Sequence, residues 1–360
     1  MSPDAPGREA PGHPSGRRVT MRDVARAAGV SQPLVSIVFR DAPGASEETR
    51  AHVLRVAAEL GYRRDERARL LRQGRSRLLG VAFEPVQPFH GEILDGVHTA
   101  AQRRGYDVVL SAVTPHRAED AAVEALLRDR CEALVLLGSA LPRARLEQIS
   151  ATLPVVSVTR AFDAAAFDSV ATDDHRGAVL AVEHLLDLGH RRIAYIDADR
   201  EAGGARRRAG YQDTMAAAGL VDEMLIVRGS ASEAGGATAI TGLLAQDPAP
   251  TAVIAFNDRC AVGVISQARV LGRCVPEDLS VVGFDDSPLI AFTDPPLTTV
   301  RQPVLSMGHA AVSALVGEIN GTPASRTELK FHPELIVRGS TGAAPVLTSV
   351  AVTTEASAVL

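Results

Sequence analysis

The chain has 360 residues, 46% of them hydrophobic and 22% charged, which describes an ordinary globular protein with room for two or three packing units. Aromatic content is 4% with no Trp, against a stacking-based binder of single-stranded nucleic acid, and Cys131, Cys260 and Cys274 are too scattered for a disulfide framework or a zinc site, so they read as packed thiols in a reducing cytoplasm. The net charge of −5 conceals a division: the first 78 residues hold 15 Arg against 9 acidic residues, a balance of +6, and the remainder stands at −11. A basic head on an acidic body suits a phosphate-facing surface confined to one end.

Residues 1–18 are polar and rich in Pro and Gly. They are expected to be disordered, with no apolar core that would make a signal peptide, and no later run is long enough to span a membrane. The stretch VTMRDVARAAGVSQPLVSIVF (19–39) then sets out two short helices. Thr20 suits a cap for the first, whose apolar face is Val24, Ala25 and Ala28. Gly29 supplies the turn, and Ser31 caps a second helix carrying Leu34, Val35 and Val38. This is helix-turn-helix spacing, and the free side of such a second helix fits a DNA major groove. A third helix is predicted from Ser46 to Leu60, ended by Gly61, with Val53, Val56, Ala57 and Leu60 closing a small core. Residues 19–61 form one unit and residues 62–77, YRRDERARLLRQGRSR, a basic linker able to become a helix once its charge is neutralised.

From Leu78 onward, short apolar runs alternate with stretches of helical length. The runs are 78–83, 107–113, 133–138, 154–159, 191–198, 225–230, 251–258 and 279–286; the helices between them are expected at 91–104, 118–130, 177–188, 206–218, 234–244 and 258–271. Such alternation predicts an α/β core of parallel sheets covered by helices, too many strands for one sheet and therefore two doubly wound lobes. Ligands in these sheets sit beyond the carboxyl ends of the strands. Residues 342–360 are small and aliphatic and are expected to be a disordered tail.

The chain closely resembles the lactose/galactose repressor family of transcription regulators over about residues 19–341. The elements that carry the resemblance are VTMRDVARAAGVS (19–31), SEETRAHVLRVAAELGY (46–62), HLLDLGHRRIAYI (184–196), FNDRCAVG (256–263), LSVVGFDDSP (279–288) and PPLTTVRQP (295–303). The resemblance implies a helix-turn-helix head, a hinge helix at 62–77 and a core at 78–341 similar to periplasmic sugar-binding proteins. The first lobe is expected at about 78–172 and 304–331, the second at about 173–303 and 332–341. The resemblance also implies a homodimer on near-palindromic double-stranded operator DNA.

Position by position, Thr20, Ser31 and Ser36 would contact phosphates, as would Arg22, while Gln32, Pro33 and Ile37 face base edges and Arg40 is a further DNA-binding candidate. Ile37 stands where the family commonly has a polar or basic residue; it either touches a thymine methyl or packs inward. Ala68 and Leu71 match the hinge, with Leu71 as an apolar wedge for the minor groove or as ordinary packing; Arg64 and Asp65 depart from the usual Pro-Asn pair. In the core, Arg207, Asp258 and Asp285 would hold vicinal hydroxyls, with Asn257 beside them, the alternative being that the aspartates only cap or end elements. Phe89 resembles a first-lobe contact, and Asp173 and Gln302 are further candidates. Ser230 and Ala231 stand where some members place an aromatic platform for a sugar ring.

The expected protein is therefore a ligand-responsive repressor in the cytoplasm, associated with the nucleoid, whose effector is a sugar or glycoside. Alternatives are a solute-binding protein with the same core, or a regulator responding to a nucleobase. No G-x-S-x-G elbow, P-loop, G-x-G-x-x-G after the first strand or metal-spaced His/Cys cluster suggests an enzyme, and no cofactor or metal is implied. His184 and His190 read as a helix and its end rather than a ligand pair.

Overall fold

The computed structural model describes residues 19–62, 75–162, 166–198, 201–321 and 328–345. They fall into two units, the head up to Ser76 and the core from Arg77. Ala68 and Leu71, with Arg64 and Asp65, lie outside the described residues.

In the head, α1 (Met21–Ala27) starts with a reciprocal capping box. Asp23 N–H donates to Thr20 Oγ1, and the Asp23 carboxylate accepts from Thr20 N–H at 3.0 Å. Gly29, at φ +66°, makes the turn into α2 (Gln32–Phe39), which is capped by Ser31. The third helix, α3 (Glu47–Glu59), is capped by Ser46. Val24, Val35 and Val53, one from each helix, are fully buried, and Ala25, Ala28, Val38, Val56 and Ala57 complete the core. Arg50 fastens the α2–α3 loop by donating to the carbonyls of Val38 and Ala42. Leu34 and Leu60 depart from expectation. Leu34 is only half-buried, outside the core, and Leu60 is exposed at the C-cap of α3. Tyr62 belongs to the head rather than the linker, because its ring packs edge-on against Phe39.

Among the described residues the core holds two six-stranded sheets. The first is built from β1 (Leu78–Phe83), β2 (Asp107–Ala112), β3 (Ala133–Leu137), β4 (Val155–Val158), β5 (Asp168–Thr172) and, from far along the chain, β11 (Glu328–Phe331). The second holds β6 (Ile193–Asp197), β7 (Leu225–Arg228), β8 (Ala252–Ile254), β9 (Ser280–Asp285), β10 (Thr298–Arg301) and β12 (Glu334–Ile336). Their orders are β11-β5-β4-β3-β1-β2 and β12-β10-β9-β8-β6-β7, parallel throughout except where β12 runs against β10. The central strands are buried along their whole length, consistent with helices on both faces and with runs that lack polar alternation.

In the first lobe, α4 (Pro88–Arg103), α5 (Glu119–Arg128) and α6 (Arg143–Ser150) are joined by the late helix α11 (Val304–Ile319). A Cβ on Gly96 of α4 would sit 2.5 Å from the Leu305 carbonyl, and one on Gly308 would sit 2.5 Å from that of Ile93, so glycines let these two backbones touch. The second lobe carries α7 (Asp174–Asp187), α8 (Gly204–Ala217), α9 (Glu233–Leu244) and α10 (Asp258–Val270). The chain crosses between lobes after β5, after β10 and after β11.

Two expectations need correction. The second lobe continues past residue 341: Gly342 N–H donates to Ser280 Oγ and Ala344 N–H to the Leu188 carbonyl, so 342–345 are held to the core. Helix α6 and the short polar strands β5 and β10–β12 carry no long apolar run and do not appear among the sequence-based elements. His184 and His190 have separate partners, Thr341 Oγ1 for one and Thr251 and Ser280 hydroxyls for the other. Among the described residues no His/Cys/Asp/Glu group could hold a metal, and no helix is long and apolar enough to cross a membrane.

Candidate functional site

On the head, Thr20, Arg22, Ser31, Gln32, Pro33 and Arg40 are exposed, and Ser36 and Ile37 are half-buried. The Thr20 hydroxyl donates to Asp23 Oδ2 at 2.6 Å, so the capping box already employs it. Ser31 Oγ accepts from Leu34 N–H at 3.4 Å, and Pro33 has no N–H. The N–H of Gln32 is thus the one left at the start of α2 for an anion. Arg40 turns its Nε back to the Ser36 carbonyl, while Arg22 has no ion-pair partner among the described residues. Ile37 rests against Gly44, where a Cβ would lie 3.6 Å from its Cδ1, and it is outside the valine core.

In the core, one cavity opens between the two lobes at the carboxyl ends of their strands, the place expected for doubly wound sheets. Its first-lobe wall is formed by Glu84, Gln87, Phe89 and His90 after β1, Gly138 after β3 and Thr159 after β4. Across from them stand Glu201, Arg207, Phe256, Asn257 and Asp285, with Ala202 and Ala231 beside them. The sequence-predicted residues Phe89, Arg207, Asn257 and Asp285 therefore meet in one place. Asp173, Asp258 and Gln302 do not line it.

The reason is visible in each hydrogen-bond set. Asp173 caps α7 by accepting from Arg176 N–H at 3.1 Å. Asp258 is 1% exposed, and its carboxylate is filled by the second lobe itself. Oδ2 accepts from Ser287 N–H and hydroxyl at 2.7 and 3.1 Å, and Oδ1 from Thr299 Oγ1 at 2.6 Å. The cap of α10 is its neighbour Asn257, which accepts from Cys260 N–H. Gln302 lies behind the site. Its Oε1 accepts from Thr172 Oγ1 at 2.6 Å and its Nε2 donates to Asp285 Oδ1 at 2.7 Å, linking the end of β5 to a cleft carboxylate.

Arg207 is the centrepiece of the second wall. It is 6% exposed, donates from Nε to Asp174 Oδ1 and from Nη1 to the Phe256 carbonyl, both at 2.8 Å, and stacks 3.6 Å from the Phe284 ring centroid. Nη2 is left with no hydrogen-bond partner among the described residues. Burial pushes the Asp174 carboxyl upward and Arg207 pulls it back. Burial also raises Asp285 to about 7, against the pull of Arg207 and the Gln302 bond, and burial and the Asp285 charge raise Asp258 well above the usual range. Glu201 is raised by its enclosure and by the charge of Glu84 across the cleft.

On the first wall, His90 is 3% exposed, and burial lowers its imidazole to about 4, so the ring is neutral. Glu84 N–H donates to its Nδ1 at 3.2 Å. Thr159 holds a left-handed backbone, φ +76°, and its buried Oγ1 has no hydrogen-bond partner among the described residues. His90, Thr159 and Gly138 were not singled out from sequence, since nothing about one His, one Thr or one Gly after a strand announces a ligand. Arg259, at the start of α10, joins the two walls: Glu233 grips its Nε and Nη2 at 2.9 and 2.6 Å, and its Nη1 donates to the first-lobe Val86 carbonyl at 3.1 Å.

Comparison with known proteins agrees with this architecture. Residues 20–65 match the bacterial regulatory proteins of the lacI family, and residues 182–341 match a periplasmic binding protein-like domain. The HTH-type transcriptional regulator MalR of Streptomyces coelicolor is 39% identical over 340 residues, covering 90% of this chain and 97% of that protein. Among solved structures, a lac repressor dimer bound to operator and the anti-inducer ONPF superposes with a TM-score of 0.80 at 28% identity, covering 91% of this chain and 100% of that one. A complex of the transcriptional regulator CelR with cellobiose gives 0.66 at 30% identity, covering 90% and 100%. With a helix-turn-helix head, a two-lobed core and relatives matched along nearly their full length, this chain belongs to the lacI family of bacterial regulatory proteins, which are DNA-binding transcription regulators and not enzymes.

Proposed function

We propose that the chain is a repressor acting as a homodimer on near-palindromic operator DNA in the cytoplasm, and that a neutral carbohydrate bound between the core lobes sets its operator affinity. The observation that carries the ligand class is the charge of the cleft. Glu84, Glu201 and Asp285 line it, while Arg207, the one lining guanidinium among the described residues, is already paired with Asp174. A phosphorylated or carboxylated ligand meets repulsion there, whereas hydroxyl groups donate to the carboxylates and accept from Arg207 Nη2. The CelR structure, with a neutral disaccharide in a related core, supports this class, and the lac repressor dimer on its operator supports the assembly.

In this reading Arg22 and Arg40 meet phosphates, Gln32, Pro33 and Ile37 face base edges, and Leu71 wedges the minor groove from the hinge. Ligand closure of the lobes changes how first lobes pair in the dimer and thereby the hinge helices, a coupling of about 1–3 kcal/mol between the two sites. The test is thermal melting of the full chain with D-glucose, D-galactose, D-ribose, maltose, cellobiose, their phosphates, and purines. A ligand at about 100 times its dissociation constant adds about 2.7 kcal/mol of stability. A neutral sugar that raises the midpoint and shifts operator binding supports the reading; a purine or a sugar phosphate as the sole stabiliser overturns it.

A further inference from the structure

We infer that Arg301 and Arg338 are positioning residues of the effector site: they grip Asp286 behind the cleft and thereby hold the backbone that turns the Asp285 carboxylate into it. Their assignment rests on the reading of a neutral carbohydrate effector that Asp285 helps to bind.

The end of β9 has an unusual backbone. Asp285 and Asp286, at φ +122° and +61°, are the one consecutive non-glycine pair with positive φ among the described residues. Asp286 lies in the left-handed helical range, which Asp and Asn visit more readily than most side chains. Asp285 lies well beyond that range of about +50 to +70°. Such conformations persist only where the surroundings over-determine them, and they cluster at ligand clamps.

At Asp286 the surroundings do so. Its side chain is 7% exposed, and each carboxylate oxygen accepts from a different guanidinium. Arg338 Nη2 donates to Oδ1 and Arg301 Nε to Oδ2, both at 2.6 Å. Arg301 ends β10 directly opposite Asp285 in the parallel register. Arg338 follows β12, where its Nη1 donates to the Leu297 carbonyl at 2.8 Å and its N–H to Thr298 Oγ1 at 2.9 Å. One residue beyond Asp286, Ser287 is fastened to Asp258. Neither Asp286 nor either arginine lines the cleft.

The consequence falls on Asp285. An extended φ there would swing the chain at residue 286 and pull its carboxylate off two charge-assisted hydrogen bonds, leaving a buried charge unpaired. The clamp outweighs the strain, and the Asp285 carboxylate stays on the cleft wall. Its Oδ1 accepts from Gln302 Nε2 at 2.7 Å, which leaves Oδ2 for a ligand hydroxyl. Arg338 stands past the third crossing between lobes, so the last segment of the core acts on the ligand through Asp286 and Asp285.

Asp286→Asn tests the clamp. Asn keeps the shape and tolerates a left-handed backbone, but it offers one acceptor oxygen where two guanidiniums need two. Crystal structures of ligand-free full-length wild type and Asp286→Asn are compared first. In the variant Asp285 moves to negative φ and releases Gln302. An Asp285 still at positive φ and bonded to Gln302 overturns the clamp, whatever the effector proves to be. Both proteins are then titrated calorimetrically with the neutral sugars named above, and the sugar that binds is followed by its monodeoxy series. Affinity for the parent sugar falls roughly tenfold in Asp286→Asn. The analogue lacking the hydroxyl that faces Asp285 ceases to differ from the parent, while the others keep their wild-type penalties. Penalties that shrink together mean a loosened lobe and a structural role alone, which also overturns the clamp. Arg338→Lys keeps a cation but loses the fork that meets Asp286 and the Leu297 carbonyl together, and it carries the same outcomes if Asp286→Asn does not fold. Should no neutral sugar bind wild type, the carbohydrate reading falls and the crystal structures still decide the clamp.

Discussion

Arg259 of the second lobe donates to the Val86 carbonyl of the first across 3.1 Å, and Glu233 holds the same guanidinium by two further bonds. A bidentate carboxylate fixes the fork, so the third donor is aimed before the lobes meet. Replacing Arg259 by Ala removes a hydrogen bond that exists only when the lobes are together. Effector affinity drops by up to roughly tenfold while ligand-free stability changes little, as read by calorimetry and melting. Affinity equal to wild type would show that this bond does not hold the cleft closed.

Arg207 and Asp285 separate by the same pair of measurements. Arg207→Ala leaves Asp174 buried without its partner, a loss of about 3–5 kcal/mol in denaturant unfolding. Adding Asp174→Asn restores part of that stability without restoring ligand binding. Asp285→Asn keeps an acceptor for Gln302 and abolishes tight effector binding at no cost in stability at pH 7. Full binding by Asp285→Asn would remove that carboxylate from the ligand site.

The cleft also gives opposed pH slopes. Asp285 is raised to about 7 in the folded state by burial, so the native protein holds its proton more tightly than the unfolded chain, and stability from this group falls as pH rises from about 4 to 7. His90 is lowered from 6.5 to about 4, so its contribution is complete above 6.5 and is lost as pH falls toward 4. Urea midpoints from pH 4 to 8 show the rise with pH more steeply in Asp285→Asn and more weakly in His90→Phe. Parallel profiles in all three proteins would contradict both assignments.

On the head, Arg22→Ala and Gln32→Ala differ in kind. Taking the Arg22 guanidinium away from a DNA phosphate reduces the slope of log affinity against log salt by about 0.9 and weakens binding to all DNA sequences alike. Truncating Gln32 leaves the slope and narrows the gap between operator and mutated operator by about 1–3 kcal/mol. Fluorescence titrations over a salt series read both, and an unchanged slope in Arg22→Ala would mean that this side chain meets no phosphate.

Long apolar runs such as 78–83 and 279–286 carried the sheets openly, and the Thr20–Gly29–Ser31 punctuation carried the helix pair. Strands β5 and β10–β12 were hidden because segments of three to five residues with polar side chains have no period of their own and exist through pairing, β11 and β12 at the sheet edges and β5 and β10 just inside them. At the site, Arg207, Asn257, Phe89 and Asp285 were legible from motifs beside strand ends. Asp258 and Asp173 sit in equally good positions along the sequence, but only geometry shows their carboxylates turned to Ser287 and Thr299 in one case and to a helix end in the other. Thr159 became visible through what its Oγ1 lacks, a hydrogen-bond partner among the described residues, and a missing partner has no letter in a sequence.

The three crossings between lobes also order events on the ribosome. Helix α11 packs on α4 and on β3–β5, and β11 closes the sheet beside β5, yet both are translated after strands β6–β10 of the other lobe. The first lobe begun at residue 78 therefore waits, with Val135, Val156 and Val170 uncovered on one face, until the chain has passed residue 319. A nascent chain stalled in that interval presents a partly uncovered hydrophobic sheet to solvent, the stage at which aggregation competes with folding. Fragments that stop before Val304 inherit the same exposed face permanently, so neither lobe of this protein is obtained by a single cut.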